Sequence, residues 1–218
     1  DLLVEHYERA GIDGAVLSQP LYMGHGDVDR VRDSNDLLLE QIAGREHYYG
    51  LASIPTAAGG EAAAAEFERA LEAGYHGGAM ETRSGGIEPH HAEAEPILEV
   101  ADEWGAPVLV HPKLEDSLSP DALDDTWLLN AIFGREVAIA ASMSKVIHTG
   151  VYDRHPDLNL VFHHTGGNVA SMMGRVQNML TMFRPAEWAE LKGEPLDAQV
   201  KAFEDFERQL QERVYVDT

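Results

Sequence analysis

The chain has 218 residues, of which 44% are hydrophobic, enough apolar material for a core in one large domain or at most two small ones. Its 16 Lys and Arg face 38 Asp and Glu, for a net charge of −22, so a nucleic-acid backbone or an anionic membrane would repel it. Cysteine is absent, which excludes disulfides, thiolate metal sites and a cysteine nucleophile and fits a reducing, cytoplasmic compartment.

The acidic residues are scattered among Ala and Gly and form no tail, as on a solvated surface and as in salt-adapted proteins. No stretch approaches the roughly 20 consecutive apolar residues of a spanning helix. The first residues lack the basic start and apolar run of a leader. Both ends look cut, since the chain begins with Asp1 and stops just after an apolar run at Thr218.

In chain order, short apolar runs alternate with helix-like stretches. The runs are 15–17, 49–54, 77–80, 107–110, 158–162 and 214–216. Continuous rather than alternating, they predict strands buried on both faces of a parallel sheet. Between them, 61–73 is Ala- and Glu-rich, lines Ala64, Phe67 and Leu71 along one side and stops at Gly74. The stretch 91–104 repeats this form with Ile97, Leu98, Val100 and Ala101 and stops at Gly105. Successive strands start roughly 30 residues apart through the first four and about 50 apart thereafter, and a closed (β/α)8 barrel takes about 250 residues. Six strands therefore fit either an open doubly wound sheet or a barrel lacking its first and last strands.

Parallel α/β proteins put chemistry at the carboxyl ends of their strands. Two runs end there in histidine: 107–110 leads into His111-Pro112, and 158–162 into His163-His164-Thr165-Gly166-Gly167-Asn168. Such an imidazole is rigidly held and can bind a divalent metal or move a proton, or it is a satisfied polar residue. Gly166-Gly167 would let the backbone approach a ligand, or form a plain turn.

The segment from Pro107 to Pro112, and Gly150-Val151-Tyr152-Asp153-Arg154-His155-Pro156-Asp157-Leu158-Asn159-Leu160-Val161-Phe162-His163-His164-Thr165-Gly166-Gly167, resemble the amidohydrolase-related family of aromatic-acid decarboxylases and metal-dependent hydrolases. The stretches 10–17, 49–55 and 73–78 resemble that family's second, third and fourth strands, so the likeness covers nearly the whole chain. It implies a TIM barrel of the metal-dependent hydrolase type with one divalent ion, zinc first and manganese second. In that family the ion is held by a His-x-His on the first strand, a His on the fifth and an Asp after the eighth. The resemblance makes His111 the fifth-strand metal ligand and His164 the acid/base histidine. No His-x-His occurs in the 218 residues and nothing follows Thr218 to supply the last Asp. The missing ligands match the missing strands, and the expectation is a single barrel domain over 1–218, truncated at both ends.

Other candidates are weaker. Asp217 resembles a family Asp on the seventh strand that lines the pocket, or is a surface residue. Glu81 ends the run at 77–80 and either faces the site or is solvated. Arg83 could pair with a substrate carboxylate, His25 lies in the loop after the first visible strand, and His90-His91 sits in a Gly/Pro-rich loop as a surface pair or a substrate contact. His6, His47, His76, His148 and His155 read as structural or exposed. Met172, Met173, Met179 and Met182 read as core or as a flexible pocket wall. Trp127 and Trp188 lie in the long connections, over the barrel mouth or on a homo-oligomer face.

The reading is a metal-dependent enzyme that hydrolyses or nonoxidatively decarboxylates a small carboxylic acid. The alternative is a non-catalytic barrel homologue acting as a binding or assembly subunit. No Gly-x-Gly-x-x-Gly or Gly-Lys-Ser/Thr loop follows any strand to support a phosphate-binding open sheet.

Overall fold

The structure, a computed structural model, describes residues 2–113, 127–182 and 200–217. After helix α1 (Leu2–Ala10), strands and helices alternate as β1 (Ala15–Leu17), α2 (Val28–Ile42), β2 (Tyr48–Ser53), α3 (Gly60–Ala73), β3 (Gly77–Glu81), α4 (Glu95–Trp104) and β4 (Val108–His111). Then come α5 (Arg135–His148), the single turn α6 (Val151–Arg154), β5 (Leu160–Phe162), α7 (Val169–Met182), α8 (Phe203–Arg213) and β6 (Val214–Val216). Each predicted strand forms within a residue or two of its apolar run, and α3 and α4 end at Gly74 and Gly105.

All five strand pairings are parallel and the order is β1-β2-β3-β4-β5-β6, each strand beside its sequence neighbour. A doubly wound sheet reverses its order at a switch point; a sheet that adds strands in one direction curls toward a barrel. This order decides against the open phosphate-binding sheet. The six strands make an arc of a barrel with the helices outside.

The main core lies between that arc and the helices, where Phe67, Ile97, Leu98, Ile139 and Ile147 pack on Met80, Val108, Val110, Leu160 and Phe162. A smaller cluster of Met23, Leu51, Ala79 and Leu109 covers the opposite, inner face. Val16, Tyr49 and Tyr215 share that inner face by strand alternation and pairing, and they are exposed near the two edges of the arc.

Two open alternatives are decided. Glu81 is not solvated but buried. The methionines of α7 do not all enter the core: Met173 packs against it, whereas Met172, Met179 and Met182 are exposed. Trp127 is 70% exposed in the single chain, as a residue of the barrel mouth or of an oligomer face would be, and Trp188 lies outside the described residues. The structural histidines hold: His148 stacks on Phe206, and buried His155 places Nε2 2.9 Å from Glu95 Oε1.

Candidate active site at the strand ends

Side chains alternate faces along a strand, and the register turns that rule into a layer. Ala79, Leu109, Val161 and Tyr215 stand beside one another across β3 to β6. Ala79 and Leu109 belong to the inner cluster. Two residues further toward the carboxyl end come Glu81, His111, His163 and Asp217. Glu81 pairs in register with His111, the ring of His163 stands edge-on to that of His111 at 4.9 Å, and His163 Nδ1 lies 2.6 Å from Asp217 Oδ2. The sequence reading passed over His163 in favour of its neighbour, although counting two residues on from Val161 finds it.

His164 is one residue out of this alternation and reaches the site by a backbone contortion. Both His164 and Thr165 hold left-handed conformations, with φ of 55° and 53°, which cost an L-residue about 1–2 kcal/mol each. The turn sets the His164 ring 6.2 Å from that of His111 and puts its Nδ1 2.7 Å from Glu136 Oε1. Glu136 lies in the first turn of α5, directly after a π-helical turn at Asn130–Gly134; such turns recur at functional sites. Nothing local in the sequence marks Glu136, since it stands 28 residues from the histidine it serves.

At Gly167, read from the sequence as a ligand approach or a plain turn, the close approach seen is to a helix. Its φ of 64° serves a close approach to α5, where a Cβ would fall 2.4 Å from the Glu136 carbonyl oxygen, and its N–H donates to His164 O at 2.9 Å. The glycine is therefore what lets α5 bring its first turn, and Glu136, against the histidine turn.

The other candidates divide. Glu81 Oε2 accepts from Lys113 Nζ at 2.8 Å and from Ser84 Oγ at 2.5 Å, a buried carboxylate paired beside His111. His25 is half-buried, its Nδ1 accepting from Asp27 N–H at 3.0 Å. Its neighbour Gly24 packs so closely over Glu81 that a Cβ there would lie 2.5 Å from Glu81 Oε2. Arg83 is exposed. A different arginine acts on the site: the charge of Arg135 is felt at His111, and its Nε is buried with no hydrogen-bond partner among the described residues. His90 and His91 are half-buried, their rings 4.4 Å apart, and burial together with His91 holds His90 below its ordinary value.

Electrostatics keep His111 neutral. Burial, with His163 and His164 adding repulsion, pushes its imidazole down to about 4. Burial also lowers His163, against the pull of Asp217. His163 Nε2 is buried without a hydrogen-bond partner among the described residues. A carboxylate on Nδ1 fixes the tautomer that offers a lone pair at Nε2. A neutral imidazole, an orphaned imidazole nitrogen and carboxylates behind both histidines of the turn suit a divalent cation of the zinc and manganese class.

A pH dependence of stability follows. An unfolded imidazole titrates near 6.5 and that of folded His111 near 4, so between these values only the unfolded chain takes the proton. Stability is expected to fall as the pH drops through that window, by up to about 1.4 kcal/mol per unit. Urea midpoints of chelator-treated protein at pH 7, 6 and 5 measure it, and His111→Gln should flatten the slope. An equal slope in the variant removes His111 as the cause.

Residues 20–215 match a family model described as Amidohydrolase. The chain belongs to the amidohydrolase family. The chain is 28% identical over 167 residues to the gamma-resorcylate decarboxylase of Rhodococcus jostii (strain RHA1), covering 69% of the chain and 49% of that protein. It is 25% identical over 186 residues to the 2-amino-3-carboxymuconate-6-semialdehyde decarboxylase of Dictyostelium discoideum, covering 82% and 51%. It thus spans about half the length of these relatives. Among solved structures, a dihydroxybenzoic acid decarboxylase from Polaromonas sp. JS666 with bound manganese and 2-nitroresorcinol superposes with TM-score 0.81 at 21% identity, over 99% of this chain and 66% of that one. A 5-carboxyvanillate decarboxylase from Novosphingobium aromaticivorans, complexed with manganese and 4-hydroxy-3-methoxy-5-nitrobenzoic acid, gives 0.80 at 21%, over 99% and 61%. These likenesses show the barrel fold. Among the described residues, no helix is long and apolar enough to cross a membrane.

Proposed function

We propose that this member of the amidohydrolase family takes part in the nonoxidative decarboxylation of a small aromatic or unsaturated carboxylic acid. The observation that carries the reading is the pair of carboxylate-backed histidines, His163–Asp217 and His164–Glu136, gathered around neutral His111 at the strand ends. The names of the relatives favour carboxyl loss over hydrolysis.

His111 would hold the ion, zinc or manganese, with His163 offering the adjacent orphaned nitrogen. A bound divalent ion supplies Lewis acidity toward a substrate oxygen. His164 carries the proton. With Nδ1 engaged by Glu136, its Nε2 delivers a proton to the ring carbon bearing the carboxylate, and Glu136 balances the imidazolium before transfer. The carbon–carboxylate bond then breaks, CO₂ leaves, and the bonding pair restores the unsaturated system of the product. His164 regains its proton from water, so one proton is consumed and one CO₂ released per turnover. The Lys113–Glu81 pair flanks the site, and Arg135, whose charge is felt at His111 and whose Nε has no hydrogen-bond partner among the described residues, would be the cation that orients the departing carboxylate in the bidentate way guanidinium favours.

The test is metal content and CO₂ release on hydroxybenzoates by the protein as its gene encodes it, with lactones as the hydrolytic control. About one equivalent of metal and CO₂ evolution are expected. Metal-free protein after supplementation, or lactone hydrolysis without CO₂, overturns the reading. Arg135→Met should raise KM about 10–100-fold with a smaller change in kcat; an unchanged KM removes Arg135 from substrate binding.

A further inference from the structure

The loop between β3 and α4 carries a second set of donors that the strand-end chemistry does not use. A small hairpin closes it, Ser84 and Ile87 exchanging backbone hydrogen bonds of 3.0 and 2.9 Å with Ile87 buried beneath. The chain then runs Glu88-Pro89-His90-His91, with His91 N–H on Glu88 O at 3.0 Å and Ala94 N–H on His91 O at 2.9 Å leading into α4. This backbone turns three donor side chains to one point. One ligand-capable atom each of Glu88, His90 and His91 lies within 4.8 Å of the others, and all three residues are half-buried.

We propose that Glu88, His90 and His91 form a binding site for a divalent ion of the zinc class. Two imidazoles and one carboxylate are the donor set of His₂Glu zinc centres, with a fourth position left for water. Two observations support it. His90 Nδ1 is buried with no hydrogen-bond partner among the described residues and lies 3.5 Å from Glu88 Oε2. A buried imidazole nitrogen left without a partner costs free energy that a bound ion would recover. The donors come from four consecutive residues directly after the closed hairpin, so little chain entropy is lost in assembling them.

Two existing contacts must yield. Glu88 N–H donates to His91 Nδ1 over a long 3.3 Å, and neither ring nitrogen of neutral His91 can ligate while that bond holds. Lys145 on α5 pairs with Glu88 Oε2, so its ammonium competes with an incoming cation. The ion would replace the reach from loop to helix by a local clamp on the loop itself.

The experiment is a zinc titration by calorimetry and thermal unfolding on chelator-treated protein carrying His111→Ala, which weakens binding at the strand ends. Zinc should bind and raise Tm. One equivalent should be lost, or bound at least about 10–100-fold more weakly, when His90→Ala and His91→Ala are added. The near-isosteric Glu88→Gln, which spares the fold, should weaken it as well, and Lys145→Met should tighten it by removing the competing cation. Equal stoichiometry and affinity with and without His90 and His91 overturn the site, as does Glu88→Gln binding zinc like its parent or Lys145→Met binding it no more tightly.

Discussion

Exchanging His164 for asparagine is expected to lower kcat about 10²–10⁴-fold, the usual weight of a positioned acid or base, while metal content stays at the parent level. The split distinguishes a proton carrier from a ligand. His111→Ala should do the reverse at the first step, losing the metal and with it the turnover. Glu136→Gln separates a third role. The amide oxygen can still accept from His164 Nδ1, so the ring stays in place, but the charge that balances an imidazolium is gone. A fall in kcat of about 10–100-fold with little change in KM is expected. Full turnover of the metal-loaded His164→Asn protein would sink the acid/base assignment, whatever Glu136→Gln does.

The parts of the site that the sequence reveals are those that depend on one strand at a time. The six strands form where continuous apolar runs occur, because a strand buried on both faces has no polar side to interrupt it. His111 is found the same way, since a polar residue that directly follows Val108-Leu109-Val110 must stand at the strand end. What depends on several elements at once is not legible. Strand order separates a barrel arc from a doubly wound sheet, and no local pattern encodes it. Glu136 reaches His164 from a helix on another unit, and the burial of Glu81 arises because Lys113 and Ser84 close over it. For His163 the signal was present but divided between two adjacent histidines, and only the register of β4 with β5 tells which of them continues the inner face. The exposed methionines of α7 make the opposite point: an apolar helical pattern says which side chains could be covered, not whether anything covers them.

Gly167 is where the fold and the chemistry meet, and Gly167→Ala is expected to cost about 2–5 kcal/mol of stability, from overpacking and an unfavourable backbone region together. At φ 64° and ψ −138° the backbone is outside the left-handed well that His164 and Thr165 occupy, in territory that essentially only glycine enters. The added Cβ would also meet a backbone carbonyl, Glu136 O at 2.4 Å, which cannot swing aside as a side chain can. Relief requires the histidine turn and the first turn of α5 to part, and that motion lengthens the 2.7 Å contact between Glu136 and His164. Stability and kcat should therefore fall together. Gly166→Ala is the milder comparison: at φ 75° it too places an alanine in the left-handed region, but its Cβ would meet side chains, Met143 Cε at 2.9 Å and Val216 Cγ1 at 3.0 Å, and the tip of a methionine yields where a backbone carbonyl does not. Denaturant midpoints and turnover of the two variants give the ordering. A Gly167→Ala protein as stable and active as Gly166→Ala would mean that the close approach of α5 does not hold the site together.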